Sequence, residues 1–339
     1  MTQTRPSQPS RTGVRIAGTG SALPARILTN ADLEKVMDTT DEWIVQRTGI
    51  RSRRIIGEGE STHSLSAAAL RAALADSRVD PGELDLLIVA TMTPEMSCPP
   101  TACRVASDVG AGPCGAFDVS GACCGFVYSL NIAHDLIKGG AYRTIAVAGA
   151  DTLSIHMDYS TRGRGTAIIF GDGAGAVVLK ASDDASLGIL AQAMHSDGTG
   201  WKDIYVPERD RDFPPGVEPE ACKLHRVQMN GASVFKFAVG TFPDLIQETL
   251  DKANLKASDV AMYICHQSNQ RILQAARDRF GLPEDKLYIN IDRYGNTVAA
   301  SVPLCFDELR KQGRVKPGDK VMFVAFGGGL TWGSSLWQM

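Results

Sequence analysis

The chain has 339 residues, of which 44% are hydrophobic and 22% are charged, and its formal net charge is −3. This composition is typical of a globular enzyme with one large domain or two ordinary ones, and the charge gives no reason to expect a nucleic-acid partner beyond a local basic patch. No apolar run approaches the roughly 18–20 residues that span a membrane, so we expect no membrane segment. Residues 1–13 are polar and lack the apolar core of a secretory signal. We therefore expect a disordered lead-in and a cytoplasmic protein.

The first half of the chain, which we take as residues 14–183, alternates short apolar runs with helical periods. Apolar runs predict strands, and apolar residues three or four apart predict helices. The predicted strands are 14–18, 84–90, 114–119 and 144–149. The predicted helices are 101–109 and a segment after Cys123, in which Phe126, Leu130, Ala133 and Ile137 share one face and Gly139-Gly140 ends the helix.

Residues 166–180 predict two further strands around a glycine-rich turn at 171–175. The glycines there invite a phosphate-loop interpretation. A phosphate loop leads into a helix, whereas a strand-like run follows here. We therefore predict a tight turn.

The second half, residues 184–339, repeats the alternation, and the boundary falls near the polar residues 181–188. Its predicted helices are 233–252, 269–280 and a third that ends near 311, and its predicted strands are 261–265, 287–291 and 320–325. Residues 201–222 are charged and rich in proline, which indicates an excursion loop. The alternation predicts an α/β protein with largely parallel sheets, whose chemistry collects at the carboxyl ends of strands.

The eight cysteines show no C-x-x-C pair, and no histidine is spaced from them as a metal ligand. We therefore expect no metal site and no disulfide framework. Small buried apolar residues are the ordinary role of such thiols. We predict that role for Cys103, Cys114, Cys265 and Cys305.

Cys123 is the exception, because it stands where a predicted strand ends and a helix begins. A helix N-terminus lowers the pKa of a thiol, and its free N–H groups can hold the oxyanion of a thioester under attack. Cys123 therefore fits acyl transfer. The alternative is that Cys123 and Cys124 are only small packing residues before Gly125. We assign that structural role to Cys124.

Two polar residues and a glycine run stand at matching positions in the second half. His266 follows a predicted strand, and Asn296 follows another predicted strand within GNTVAAS. His266 could instead be an ordinary core or surface histidine, and Asn296 an ordinary turn residue. The functional interpretation is a pair of neutral donors beside a thiol nucleophile. The run 327–329 is either a plain turn or a place where a backbone N–H approaches a substrate closely.

Six motifs at these places resemble the β-ketoacyl-(acyl-carrier-protein) synthase III family of thiolase-like condensing enzymes. They are DEWIVQRTGI (41–50), FDVSGACCGF (117–126), RGTAIIFGDGAGA (164–176), HQSNQRI (266–272), GNTVAAS (295–301) and FGGGLTWGS (326–334). The resemblance covers residues 14–337 in order. It implies a five-layered αβαβα fold built from two similar halves, and a homodimer.

The resemblance also implies a reaction and roles for the site residues. The family takes an acyl group from acyl-CoA, its substrate, and condenses it with malonyl-acyl carrier protein as CO₂ is lost; no cofactor is implied. Carried over, Cys123 is the acylated nucleophile, and His266 and Asn296 donate to the malonyl thioester carbonyl. The N–H groups of Cys123 and Gly328 form the oxyanion hole. Phe326 presses on the malonyl carboxylate.

Further residues correspond to the family's contacts with its two large substrates. Trp43, Arg47 and Arg164 match its CoA contacts, since tryptophan stacks on adenine and arginine suits phosphate. Carrier proteins are acidic, and the basic residues at the matching positions are Arg271, Lys236, Arg277 and Arg279. Asp278 stands where some relatives have another cation, which weakens this basic rim.

Two departures from the family pattern affect substrate choice. Cys98 stands where many relatives have a phenylalanine that reaches across the dimer to close the partner's acyl pocket. We therefore expect a roomier pocket and a starter longer or bulkier than acetyl. The excursion at 201–222 also departs from the common pattern, and we expect it to shape entry to the tunnel.

Three functions remain open from the sequence. The first is the initiating condensation of fatty-acid synthesis. The second is a specialised relative that primes a polyketide or alkylquinolone pathway, or transfers an acyl group without decarboxylation. The third is a non-catalytic acyl-binding or scaffold subunit, which predicts damage to the cysteine, histidine or glycine loop; none is seen.

Overall fold

The computed structural model describes residues 12–339 of the chain. Residues 1–11 of the predicted lead-in lie outside the described residues. The lead-in prediction is wrong at Gly13, because the first strand already begins there.

The described residues form thirteen strands and ten α-helices. The strands are β1 (Gly13–Ala22), β2 (Ile27–Thr29), β3 (Ser52–Arg54), β4 (Leu86–Ala90), β5 (Gly115–Val119), β6 (Thr144–Asp151), β7 (Gly173–Ser182), β8 (Gly188–Ser196), β9 (Ile204–Tyr205), β10 (Gln228–Met229), β11 (Met262–Cys265), β12 (Lys320–Gly327) and β13 (Thr331–Gln338). The helices are α1 (Asn30–Glu34), α2 (Asp41–Thr48), α3 (Thr62–Ser77), α4 (Thr101–Val109), α5 (Gly125–Lys138), α6 (Arg164–Ala167), α7 (Gly231–Ala253), α8 (Gln270–Arg279), α9 (Ile291–Tyr294) and α10 (Ser301–Lys311).

Two large sheets organise the molecule. The first has the strand order β1-β7-β6-β4-β5, and the second has the order β11-β12-β13-β8. Strand β4 runs parallel to β5 and β6, and β11 runs parallel to β12. The remaining pairs in these sheets are antiparallel. The prediction of largely parallel sheets is therefore wrong, since tight reversals such as β12–β13 alternate with helical crossovers.

Helices fill the space between the sheets and cover both outer faces. The apolar faces of α5 and α10 join side chains of both sheets in one central core. Helices α3 and α4 pack on the outer face of the first sheet, and α7 and α8 pack on the outer face of the second. This is the five-layered αβαβα arrangement that the resemblance implies.

The strand that leads to Cys123 is anchored to its neighbouring helix. Asp118 in β5 accepts hydrogen bonds from the first two N–H groups of α4, those of Thr101 and Ala102, at 2.7 and 2.8 Å. A helix leaves these N–H groups without intrahelical acceptors, and a carboxylate there is also favoured by the helix dipole. The contact fixes the direction in which β5 delivers the chain to Cys123.

Two predicted strand regions are wrong. The first of these is 166–180: its first two residues belong to helix α6 (Arg164–Ala167), and only one strand, β7, follows. Residues 173–175 belong to β7 and not to the expected tight turn. A Cβ at Gly175 would come within 2.7 Å of Pro303 in α10, so glycine permits close packing there. The predicted strand 287–291 makes only one isolated bridge, between Leu287 and Tyr263, and the chain then turns into α9.

The excursion at 201–222 is part of the second half's surface structure. It contains β9, which pairs with β10. The chain passes from the first sheet to the second between Ser182 and Gly188. The division into halves at residue 183 stays a prediction. No helix within residues 12–339 is both long enough and apolar enough to cross a membrane.

The predicted burial of four cysteines is only partly right. Cys265 and Cys305 are fully buried, and Cys114 is partly buried. Cys103 is exposed, because it lies on the outer side of α4. All eight cysteines are free thiols.

We expect Asp307→Ala to destabilise the protein. The buried Asp307 carboxylate in α10 accepts hydrogen bonds from Thr19 at 2.9 Å and Ser21 at 2.5 Å in β1. Removing it leaves the buried Thr19 hydroxyl and the half-buried Ser21 hydroxyl without their acceptor, which costs about 2–4 kcal/mol. Chemical denaturation would measure this loss, with Glu284→Ala as the control, since Glu284 is 93% exposed. An equal shift in both variants would contradict the expectation.

Candidate active site

Cys123 lies in a tight turn between β5 and α5. Residues Ala122–Cys124 form one turn of 3₁₀-helix, and α5 begins at Gly125. Ala122 has a φ of +46°, a left-handed conformation that a residue with a side chain rarely adopts. Cys123 is 7% exposed, whereas Cys124 is fully buried in the central core. The two thiols therefore face different surroundings, as the sequence suggested.

The glycine run after β12 lies directly against the Cys123 side chain. A Cβ on Gly327 would come within 2.7 Å of the Cys123 Cβ and 3.0 Å of its sulfur. Real Cβ atoms do not approach so closely, so this position requires glycine. The backbone N–H groups of Gly328 and of Cys123 itself interact with the sulfur. Two N–H donors therefore converge at the Cys123 sulfur.

The charge state of Cys123 differs from the prediction. Burial raises the pKa of the Cys123 thiol well above its ordinary value, and the N–H groups of Cys123 and Gly328 only partly oppose this. The prediction of a lowered pKa is wrong, because the sulfur is removed from water and the negative charges of Cys124 and Asp151 would also disfavour a thiolate.

His266 directly follows β11, as predicted. Its Nδ1 lies 2.6 Å from Ser301 Oγ at the start of α10, and its ring packs edge-on against Phe326 with the centroids 5.6 Å apart. Burial lowers the pKa of His266 to about 3, so the imidazole is neutral at physiological pH. No hydrogen bond within residues 12–339 uses Nε2, which leaves it available to a substrate.

Asn296 does not follow a strand, contrary to the prediction. It comes two residues after α9 and forms an isolated bridge with Phe170. Its N–H donates to the Ile169 carbonyl at 2.9 Å, and its own carbonyl accepts from Gly171 at 3.0 Å. Its side-chain Oδ1 accepts from the Val298 N–H at 2.9 Å. The amide is thus held by its oxygen, and the Nδ2 donor has no partner among the described residues.

Two cavities meet at Cys123. The first, of about 290 Å³, has a largely apolar lining that includes Met92, Leu153, Val206 and Val227. The second, of about 450 Å³, contains His266, Asn296 and Phe326 in its wall, and Trp43, Arg47 and Arg271 also line it. Cys123 and Gly328 belong to the walls of both. The arrangement suits an acyl chain in the first cavity and a long substrate arm in the second.

Aromatic and basic side chains gather beside the second cavity. The guanidinium carbons of Arg47 and Arg164 each lie 4.8 Å from the centre of the Trp43 ring. Arg164 also donates to the carbonyl of Asp38. The structure thus brings together the three residues predicted to contact CoA.

The four basic residues predicted to meet a carrier protein fall into two pairs. Arg271 and Lys236 are exposed and have no carboxylate partner within residues 12–339, and Arg271 stacks on Phe235. Arg277 lies 3.8 Å from Asp278 and 3.6 Å from Glu284, and Arg279 lies 3.7 Å from Asp244. The second pair therefore faces carboxylates, whereas Arg271 and Lys236 do not.

Cys98 is exposed and does not line either cavity of the protomer. The nearby Met92 does line the apolar cavity. A role for Cys98 in a partner's pocket stays a prediction.

Several residues of the site were not predicted from the sequence. Ile204 and Val206, in the excursion, line the apolar cavity, and Ile204 also lines the second. The fully buried Asp151 accepts from the N–H groups of Met92 and Ala299, which joins the cavity wall to the Asn296 loop. Asp151 ends an apolar strand, so a buried carboxylate at a strand end was the available signal.

We expect alkylation of Cys123 by iodoacetamide to keep accelerating between pH 7 and pH 9. The raised pKa leaves the thiol neutral in this range, and the reactive thiolate increases roughly tenfold per pH unit below the pKa. Peptide-resolved mass spectrometry would follow Cys123 separately from the other thiols, with Cys123→Ala as the control. A rate that levels off below pH 8 would contradict the raised pKa.

Residues 117–198 and 250–339 match the family models described as 3-oxoacyl-[acyl-carrier-protein] synthase III and its C-terminal region. A β-ketoacyl-[acyl-carrier-protein] synthase III of Caldanaerobacter subterraneus subsp. tengcongensis is 46% identical over 95% of this chain and 96% of the relative.

Two solved structures are similar along nearly the whole chain. The 3-oxoacyl-[acyl-carrier-protein] synthase III of Aquifex aeolicus superposes with a TM-score of 0.89 at 41% identity, covering 96% of this chain and 100% of that one. A priming β-ketosynthase of a polyketide biosynthetic pathway gives a TM-score of 0.89 at 33% identity, covering 100% and 99%. The chain therefore belongs to the β-ketoacyl-[acyl-carrier-protein] synthase III family and is an acyl-transferring condensing enzyme with the thiolase fold.

Proposed function

We propose that Cys123 accepts an acyl group from acyl-CoA and that the enzyme condenses this group with malonyl-acyl carrier protein by decarboxylative Claisen condensation. The reaction initiates fatty-acid synthesis. One observation carries the proposal: an apolar cavity and a larger cavity with Arg47 and Arg271 in its wall meet at Cys123, and two neutral donors line the second.

The first half-reaction is transfer of the acyl group to sulfur. The Cys123 thiol loses its proton as it attacks the acyl-CoA thioester, and CoA leaves as the free thiol. Negative charge develops on the carbonyl oxygen, where the N–H groups of Cys123 and Gly328 receive it. The acyl chain then occupies the apolar cavity beyond Cys123.

In the second half-reaction, negative charge first develops on the malonyl thioester and not on the acyl group from CoA. As the malonyl carboxylate leaves as CO₂, an enolate forms at the thioester carbonyl, and its carbon attacks the acyl-Cys123 carbonyl. The bond between that carbonyl carbon and the Cys123 sulfur then breaks, the β-ketoacyl product leaves on the carrier, and the thiolate takes up a proton from water. His266 Nε2 and Asn296 Nδ2, which lack partners among the described residues, donate to the enolate oxygen. A neutral imidazole suffices for this, in keeping with the lowered pKa of His266. Phe326 presents an apolar ring to the carboxylate and favours its loss over its solvation.

The mouth of the second cavity suits the two large substrates. Trp43 stacks on the adenine of CoA, and Arg47 and Arg164 receive its phosphates. Arg271 and Lys236 form the main contact with the acidic carrier protein, since Arg277 and Arg279 already face carboxylates. We further propose a homodimer in the cytoplasm that acts without a cofactor.

A second candidate is the priming of a specialised pathway on the same site. The similarity to a polyketide-pathway priming β-ketosynthase at 33% identity favours it. It keeps every proposed residue role and differs in the starter and in the destination of the product.

Incubation with acyl-CoA is expected to add one acyl mass to the enzyme but not to Cys123→Ala, as measured by intact mass spectrometry. Malonyl-acyl carrier protein should then release CO₂ and yield a β-ketoacyl product. Cys124→Ala is the matched control and should still be acylated. A mass gain that survives Cys123→Ala would contradict the nucleophile. Free acid or ester as the sole product would contradict the condensation.

Starters longer or bulkier than acetyl are expected to acylate the enzyme faster. Each methylene buried in the apolar cavity contributes about 0.8 kcal/mol, which corresponds to a few-fold in kcat/KM until the cavity is full. Val206→Phe should return the preference toward acetyl-CoA because Val206 lines this cavity. Val217→Phe, at a surface valine that is 40% exposed, is the control. Acetyl-CoA acylating wild-type enzyme as fast as longer acyl-CoAs would refute the expectation.

A further inference from the structure

We propose that Ser301 positions the reaction's imidazole donor by fixing the proton of His266 on Nε2. The inference rests on the proposed function of His266 as a donor to the malonyl thioester, and it deepens that function. Ser301 acts through His266 and does not itself touch the substrate.

The hydrogen bonds of Ser301 carry the proposal. Its hydroxyl, at the first residue of α10, lies 2.6 Å from His266 Nδ1 and 3.3 Å from the backbone nitrogen of Gln267. The Gln267 N–H can only donate, so it occupies a lone pair of the serine oxygen. The hydroxyl hydrogen remains, and Nδ1 is the acceptor within reach. A neutral imidazole that accepts at Nδ1 carries its hydrogen on Nε2.

The opposite tautomer leaves a buried polar hydrogen without a partner. If Nδ1–H donated to Ser301, the serine oxygen would accept from both His266 and Gln267. The hydroxyl hydrogen would then have no acceptor within residues 12–339. Ser301 lines neither cavity, whereas His266 lines the second, so water in that cavity can pair with an Nε2–H but does not reach the serine hydroxyl. An unpaired buried donor costs about 1–3 kcal/mol, which favours the Nε2–H tautomer roughly 5-fold to 150-fold.

The orientation of the His266 imidazole ring is fixed as well. Phe326 contacts the imidazole edge-on at an interplanar angle of 78°, and Nε2 has no partner among the described residues. Through this hydrogen bond, Ser301 keeps the Nε2–H of His266 in the wall of the cavity, which Asn296 and Cys123 also line. The tautomer matters for the enolate step, because a bare Nε2 lone pair would repel the developing oxyanion. Acyl transfer to Cys123 relies on backbone N–H groups and does not need it.

The first test observes the proton directly. Nitrogen NMR of the full chain labelled at histidine, with His266→Gln to assign the signals, is expected to show His266 as the Nε2–H tautomer. Ser301→Ala should give a mixture of tautomers. A wild-type signal from Nδ1–H would overturn the proposal. This readout does not depend on the reaction, so it would stand even if condensation were not the function.

The second test separates the two half-reactions. Ser301→Ala is expected to lower kcat for malonyl-dependent CO₂ release by roughly 3-fold to 10-fold, because part of the enzyme keeps the Nε2–H tautomer; this is well below the loss for removing a whole oxyanion donor. Acylation of Cys123 by acyl-CoA should stay within twofold of wild type. Ser301→Thr keeps the hydroxyl and should restore most of the rate.

Ser66→Ala is the matched control, since Ser66 is a fully buried helical serine whose hydroxyl donates to the Thr62 carbonyl at 2.6 Å. It should leave both half-reactions unchanged. Equal losses in acylation and CO₂ release for Ser301→Ala would indicate general damage and overturn the positioning role. So would a CO₂-release rate equal to that of the control. Absence of condensation in wild-type enzyme would instead refute the proposed function.

Discussion

Exclusion of water governs the charge of every group around the reacting sulfur. Burial raises the pKa of the Cys123 thiol and lowers that of His266 to about 3, so neither carries charge in the resting protein at neutral pH. The same burial raises the pKa of Asp151 to about 7, although two backbone N–H groups and two hydroxyls oppose it. A thiolate–imidazolium pair is therefore not the resting state. In the mechanism that we propose, the chemistry depends on N–H donors placed where charge appears during reaction, and such donors gain strength from the low dielectric that removed the charges.

A dry site is stable only if its polar groups have partners, and here the exceptions face the cavity. Ser301 partners His266 Nδ1, and the Val298 N–H partners Asn296 Oδ1. His266 Nε2 and Asn296 Nδ2, the two donors that we propose to meet the enolate, have no partner among the described residues, and neither does the Ser268 hydroxyl in the same cavity wall. These donors therefore give up no protein hydrogen bond when the substrate arrives. Donors satisfied best by an enolate oxygen favour the transition state over the ground state.

Elements whose ends depend on the local sequence were predicted well. Helix 101–109 matches α4 at both ends, because Pro100 and Gly110 bound one amphipathic stretch. Strand 287–291 failed because its backbone pairing with β11 is limited to one bridge, between Leu287 and Tyr263, before the chain turns into α9. The raised pKa of Cys123 and the position of Ile204 in the cavity wall both depend on contacts with segments that are distant in the sequence. Local sequence patterns do not contain this information. The motifs indicated which residues to expect at the candidate site, but only the fold showed that Cys123 and His266 are buried and uncharged there.

Helix α10 connects this chemistry to the packing of the two sheets. Its first residue, Ser301, contacts His266 at the end of β11, and Asp307 lies six residues later, about 9 Å along the axis. Asp307 bonds Thr19 and Ser21 of β1 in the other sheet. Pro303, between them, closes on Gly175 so tightly that no side chain fits there. The imidazole is thus positioned from a helix that is held at both sheets. A rigid anchor of this kind is what a single hydrogen-bond donor requires, because its contribution declines steeply once its direction is lost.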